Sequence, residues 1–324
     1  MNKQNPKKRH HYIPVFYLNG FTSPEGNLWV YDKEGVGMFA SSPEGIAYEK
    51  HYFSYITPQG ERDSETIENL IAIAEEEYSK VLKKILLKEG LSDDEFVTFA
   101  SFIASMTVRT PNFRNNIQES TAAILKHMSK FMASHKENFE SMLRRYEQET
   151  GEKIEMSVEE LRQWTLNTDN YTVRVDAQYA IGMALSLMER LTEIFAAMSW
   201  TFMEAGGEFN FMTGDNPLSY IDPSHPAQSP YGVGLQNKGI EVTLPLSKNI
   251  CAFGSWKPNK KYYQASTEFV RQMNRRTVKE SGRFIFTDKK SQDIDKFVKK
   301  YKNTHSIMKV HSIGDFVVTQ RKVQ

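Results

Sequence analysis

The sequence predicts an α+β fold. A bundle of about five to six helices should pack on a mixed, mainly antiparallel sheet built from the N-terminal and C-terminal segments. Three observations lead there. Residues 61–199 carry a helical hydrophobic period, residues 200–324 alternate as strands around two helices, and residues 1–60 mix strand and loop patterns. A chain of 324 residues can bury one large core. With no internal repeat or low-complexity tract in view, the three parts are expected to form a single domain, 1–324.

The elements follow in order. Pro14 suits the first turn of a short helix through Leu18, and Gly20 stops it. Asn27–Asp32 reads as a strand with Leu28, Val30 and Asp32 on one side, Trp29 and Tyr31 on the other, and Lys33-Glu34-Gly35 as its turn. From Ser64 the steps become helical through Ile67, Leu70, Ile71, Ala74, Tyr78, Val81, Leu82 and Ile85, with Gly90 closing the helix. Ser92-Asp93-Asp94-Glu95 is a capping box that opens a second helix, ending before Pro111. A third runs from Pro111 to Ser134, and a polar one follows to about Glu149. A second capping box at Ser157–Glu160 opens a short helix with Leu161 and Trp164.

The helix starting near Asp176 has the widest apolar stripe, through Ala177, Ile181, Ala184, Met188, Leu191, Phe195 and Met198, and should be the central, most buried one. Beyond Ser199, Trp200–Glu204 and Phe209–Thr213 read as neighbouring strands. Ile240–Leu244 and Ile250–Phe253 form a hairpin across Pro245–Asn249. A helix from Ser266 to Glu280, a strand at Arg283–Phe286, a helix from Ser291 to Tyr301 and a strand near Asp315–Thr319 complete the pattern.

Composition sets limits on function. Charged residues at 25% and aromatics at 12% exclude a disordered chain. The single cysteine, Cys251, excludes an intrachain disulfide and points to a reducing, cytoplasmic location. Lys3, Lys7, Lys8 and Arg9 are not followed by an unbroken apolar run, and no stretch approaches the roughly 18 apolar residues of a membrane span, so no membrane partner is expected. Net charge is +1, yet Glu61–Glu95 holds eleven acids and five bases, and Lys257–Lys302 fourteen bases and five acids. This asymmetry suits nucleic acid or another anionic partner for the C-terminal part, or a solvated basic face.

Four stretches carry polar groups that packing does not obviously demand. His10 and His11 are adjacent, so in an extended segment one faces inward and one outward. One of them could serve a site, or hydrogen-bond a buried carbonyl while Tyr12, Phe16, Tyr17 and Phe21 pack beneath. Asp215 and Asn216 project from a strand end in Thr213-Gly214-Asp215-Asn216-Pro217, where they could hold a metal or substrate or stabilise the turn itself. Arg109, at a helix junction before Pro111, could turn inward to a carboxylate or a phosphate. Asn274 shares a helix face with Val270 and Val278 and should be buried, while Arg271, Arg275 and Lys279 form a stripe resembling a phosphate-binding surface. No H-E-x-x-H, paired C-x-x-C, P-loop or Gly-x-Ser-x-Gly elbow occurs, which disfavours a serine or cysteine triad.

Lys8–Leu18, Leu28–Asp32, Arg109-Thr110-Pro111, Thr213–Pro217 and Pro245-Leu246-Ser247 together resemble the bacterial family called domain of unknown function 4238. The motifs come in the same order and cover nearly the whole chain. Val15 stands where members more often have Gln, and Gly214 where they more often have Ser. The resemblance groups His10, His11, Arg109, Asp215 and Asn216 and supplies no reaction.

Three functional expectations result. The first is a hydrolase, possible with a divalent metal, acting on phosphodiesters like a nuclease, with His10, His11, Asp215 and Asn216 catalytic and Arg109, Asn274, Arg271 and Arg275 binding substrate. The second is a non-catalytic nucleic-acid or nucleotide binding module. The third is a structural or partner-binding component of a defence or toxin system, its polar cluster serving architecture alone. The catalytic expectation requires one pocket made from the first dozen residues and the strand end before Pro217.

Overall fold

The structure, a computed structural model, describes residues 9–35, 37–224, 234–258, 261–313 and 316–323. Lys3, Lys7, Lys8 and Asp315 lie outside them. The N-terminal part holds β1 (Arg9–His11), α1 (Val15–Leu18), β2 (Leu28–Asp32), β3 (Gly37–Ser41), β4 (Tyr48–Lys50), β5 (Tyr55–Ile56) and β6 (Arg62–Asp63). The helical block holds α2 (Thr66–Leu86), α3 (Asp93–Val108), α4 (Pro111–Ser134), α5 (Lys136–Thr150), α6 (Val158–Leu166) and α7 (Ala177–Ala196). Then come β7 (Ser199–Ala205), β8 (Thr213–Gly214), β9 (Ser219–Ile221), β10 (Glu241–Pro245), β11 (Ile250–Ser255) and β12 (Tyr262–Ala265). The last part is α8 (Thr267–Glu280), β13 (Phe284–Thr287), α9 (Gln292–Lys300), β14 (Ser306–Ile313) and β15 (Phe316–Val323).

The α+β class holds. Nine α-helices stand among the described residues, more than the five to six of the predicted bundle, because α1, α8 and α9 lie outside the helical block. A five-stranded sheet, ordered β12-β7-β11-β10-β9, comes wholly from residues 199–265, with β12 parallel to β7 and its other pairs antiparallel. A four-stranded antiparallel sheet, ordered β3-β2-β13-β8, joins the N-terminal and C-terminal segments. Both capping boxes form: Ser92 accepts from the Glu95 N–H and Ser157 from the Glu160 N–H, each glutamate returning to its cap. Among the described residues, no helix is long and apolar enough to cross a membrane.

Three expectations change. The most buried helix is α3, not α7. Phe99, Ala100, Phe102, Ile103, Ala104, Met106 and Val108 of α3 are buried, against only Ala180 and Phe195 in α7. Phe99 packs on Trp200 and Phe202, and Phe102 on Tyr78 and Tyr17, so α3 is covered by the five-stranded sheet, α2 and α1 as well as α7. Helix α7 buries one face on α3 and leaves its predicted stripe partly open, with Ala177 exposed and Ile181, Ala184, Met188 and Leu191 only half-buried. The α2 helix ends at Leu86, and Lys88, not Gly90, takes the left-handed conformation after it (φ 60°). Finally, β7 and the segment before Asp215 are not neighbours: β7 lies in the five-stranded sheet, and only Thr213–Gly214 forms a strand, beside β13. The backbone of residues 210–212 is satisfied elsewhere: the Asn274 amide takes the Asn210 carbonyl and the Met212 N–H, and the Phe211 N–H donates to the Lys248 carbonyl.

Candidate functional site

Strand β1 pairs with β4 in the register His10↔Glu49 and His11↔Tyr48. Alternation sends His10 inward and His11 outward. His10 is fully buried, its Nδ1 accepting the Phe53 N–H at 2.9 Å while the ring stacks on Phe53. His11 Nε2 lies 3.2 Å from the Glu44 carbonyl oxygen, and its ring meets Tyr48 edge-on. Burial holds the His11 pKa below the ordinary imidazole value.

Arg109 turns inward at the α3–α4 junction. It is 4% exposed, donates to the Glu75 carboxylate at 2.7 Å and to the His11 carbonyl, and covers the Phe53 ring. Arg114, one turn into α4, pairs with Glu49 of β4 at 3.0 Å. The two arginines therefore fasten the opening ribbon to the helical block.

Asp215 and Asn216 leave β8 on the other side of that junction. Gly214 permits the approach, since a Cβ there would sit 2.0 Å from Ser281 Oγ. Asp215 Oδ1 accepts the Gly282 N–H at 2.8 Å, and Oδ2 accepts those of Arg283 and Phe284 at 2.7 and 2.9 Å. Burial pushes the Asp215 carboxyl above the usual range, against the pull of these three donors and of the Lys33 ammonium. Asn216 Nδ2 donates to the Glu280 carbonyl at 3.1 Å, and its Oδ1 accepts from Thr110 Oγ1 at 3.3 Å.

Lys33, read from sequence as a turn residue, is 1% exposed. Its Nζ donates to the carbonyls of Val278, Ser281 and Thr304 at 2.6–2.7 Å, satisfying the C-terminal end of α8. Burial brings its ammonium down to about 8. The signal was present, because the β2 alternation that buries Tyr31 carries one step further to Lys33.

Two concavities lie near α8, one beyond its C-terminal end and one along its outward face. The first, about 520 Å³, is lined by Asp215, Arg283, Glu34, Glu119 and Lys302 together with Asn112, Asn115, Asn116, Asn303 and His305. It carries three acids against two bases. His10, His11 and Asn216 are not among its lining residues, so the N-terminal imidazoles and the Asp215 carboxylate do not share it. Asp32 holds Arg283 at its edge at 2.9 Å.

The second, about 390 Å³, lies between α8 and the start of α9. Arg271, Arg275 and Lys289 line it with Asp293, three bases against one acid, and Phe209, Met212, Ile294 and Phe297 supply apolar wall. Among the described residues none of the three bases pairs with a carboxylate, and Arg271 lies 4.5 Å above the Phe209 ring. Asn274 forms part of the wall, but its amide is engaged: Oδ1 accepts the Met212 N–H and Nδ2 donates to the Asn210 carbonyl, each at 2.9 Å. Three of the four predicted binding residues thus meet on one surface, while Arg109 belongs to the β1 junction. Lys289 and Phe209 were missed, since no local pattern links them to α8. Among the described residues no group of three or more His, Cys, Asp or Glu side chains could hold a metal ion.

Residues 9–291 match the family model Protein of unknown function (DUF4238), and the chain belongs to that family. Neither a curated protein nor a solved structure gives a significant match.

Proposed function

We propose that this member of the family binds a small phosphorylated ligand of nucleotide class in the basic cavity between α8 and α9. The observation that carries the reading is a set of three bases, Arg271, Arg275 and Lys289, that make no ion pair among the described residues and converge on a concavity with aromatic walls. Arg271 and Arg275 are four residues apart and share a face of α8, so both guanidinium forks can meet one phosphate group. A volume near 390 Å³ suits one nucleotide rather than a duplex. Phe209, beneath the Arg271 guanidinium, and Phe297 supply aromatic wall for a base.

The phosphodiesterase reading finds less support. His10 Nδ1 and both Asp215 oxygens are engaged by backbone N–H groups. The described residues also bring no three or more His, Cys, Asp or Glu side chains together where they could hold a metal ion.

The test is calorimetric titration of ATP, AMP and adenosine into the native protein at low and high salt. Phosphorylated ligands should bind and adenosine should not, with affinity falling as salt screens the exposed bases. Replacing Arg271 or Arg275 by alanine should weaken binding about tenfold, the loss of a hydrogen bond to a charged group. Equal binding of adenosine and AMP, or salt-independent binding, would remove the reading.

A further inference from the structure

The face that α7 leaves open borders a different concavity, a groove of about 190 Å³ between α2 and α7. Ile67, Ile71 and Ala74 form one wall, and Ala184, Leu185 and Met188 the other. Its lining includes two charged residues, Arg109 and Arg114, and no acid. Nη1 and Nη2 of Arg109 are already committed to Glu75 and the His11 carbonyl. Arg114 differs. Its side chain is 22% exposed, lies 4.3 Å over the Tyr52 ring, and meets Glu49 through Nη2 alone. Glu49 is itself 40% exposed, so water can take up its carboxylate when a ligand carboxylate replaces it on Arg114.

From this geometry we infer that the groove binds an amphipathic monocarboxylate, with its alkyl chain between α2 and α7 and its carboxylate on Arg114. The groove volume slightly exceeds the ~150 Å³ that holds benzene, enough for a short alkyl segment. Leu70 and Leu185, 61% and 55% exposed, extend the apolar path outward for the rest of a chain. With Arg109 held by Glu75, Arg114 is the lining group that favours a carboxylate over an alcohol of the same length, by exchange for the half-exposed Glu49. The site shares no lining residue with the basic cavity, so it stands or falls independently of the nucleotide reading.

The experiment titrates the delipidated full chain with straight-chain monocarboxylates of about four to about twelve carbons, and with the matching primary alcohols, by calorimetry. Affinity should rise roughly fourfold per methylene until the groove is full, then level off. Octanoate should bind about tenfold tighter than 1-octanol, and Arg114→Gln should bring the two level. Ala184→Trp should fill the groove and abolish both while the melting temperature is kept. Should that variant fail to fold, the surface change Arg114→Gln still decides the headgroup claim. Equal affinity of acid and alcohol for the native protein, or no dependence on chain length, would overturn the inference. A native dimer in light scattering that octanoate leaves intact and Ala184→Trp dissociates would also overturn it, assigning the face to a second copy.

Discussion

Helix α8 has polar groups at its C-terminal end and on its outward face, and the two sets behave differently. At the end, Lys33, Asp215 and Asn216 point into the interior, and their donors and acceptors meet backbone groups of residues 278–284, the Thr304 carbonyl or the Thr110 cap. On the face, Arg271 and Arg275 stand beside a cavity with no carboxylate partner among the described residues. Both sets look equally functional as residue types. What separates them is whether the fold has already supplied their partners. A satisfied buried group holds the architecture, and a preorganised unsatisfied cation at a concavity is available to a ligand.

Disrupting the interior set should have the largest effect. Asp215→Ala leaves three N–H groups without an acceptor and deprives Lys33 of a nearby opposite charge, so urea denaturation should show a loss of about 3 kcal/mol or more. Lys33→Met, which strips three carbonyls of their donor, should cost a similar amount, about 3 kcal/mol. A loss below about 1 kcal/mol in both would mean that this cluster does not hold the end of α8. His10→Ala should cost about 2 kcal/mol, from the orphaned Phe53 N–H and the lost ring packing.

A smaller effect comes from pH. Because the folded His11 pKa is lowered by burial, the unfolded chain takes up that proton first as pH falls through the ordinary imidazole range. Stability should therefore rise with pH across that window and fall as pH drops through it. Denaturation midpoints across the range should show a shallower slope in His11→Gln, and an unchanged slope would count against the assignment. The smallest effect is expected on the outward face, where Arg271→Ala and Arg275→Ala should each change stability by no more than about 0.5 kcal/mol.

The same division explains what could be read from the chain. Capping boxes at Ser92 and Ser157, the α4 boundaries at Pro111 and Ser134, and the burial of Asn274 are local, set by residues three or four apart. The Arg271–Arg275 stripe was visible for the same reason. Long-range partners were not: nothing near Asp215 announces residues 282–284, and nothing near Asn274 announces that its amide takes the Asn210 carbonyl and the Met212 N–H. The wide stripe of α7 overstated its burial, because a helix pattern gives the apolar arc and not how much of it the neighbours cover.

The most direct test exchanges the two regions in one experiment. ATP is titrated into the His10→Ala protein and into the double variant Arg271→Ala with Arg275→Ala, each at a temperature where circular dichroism shows it folded. His10→Ala should bind like the native protein, and the double variant should not bind. Loss of binding in His10→Ala with full binding in the double variant would contradict this.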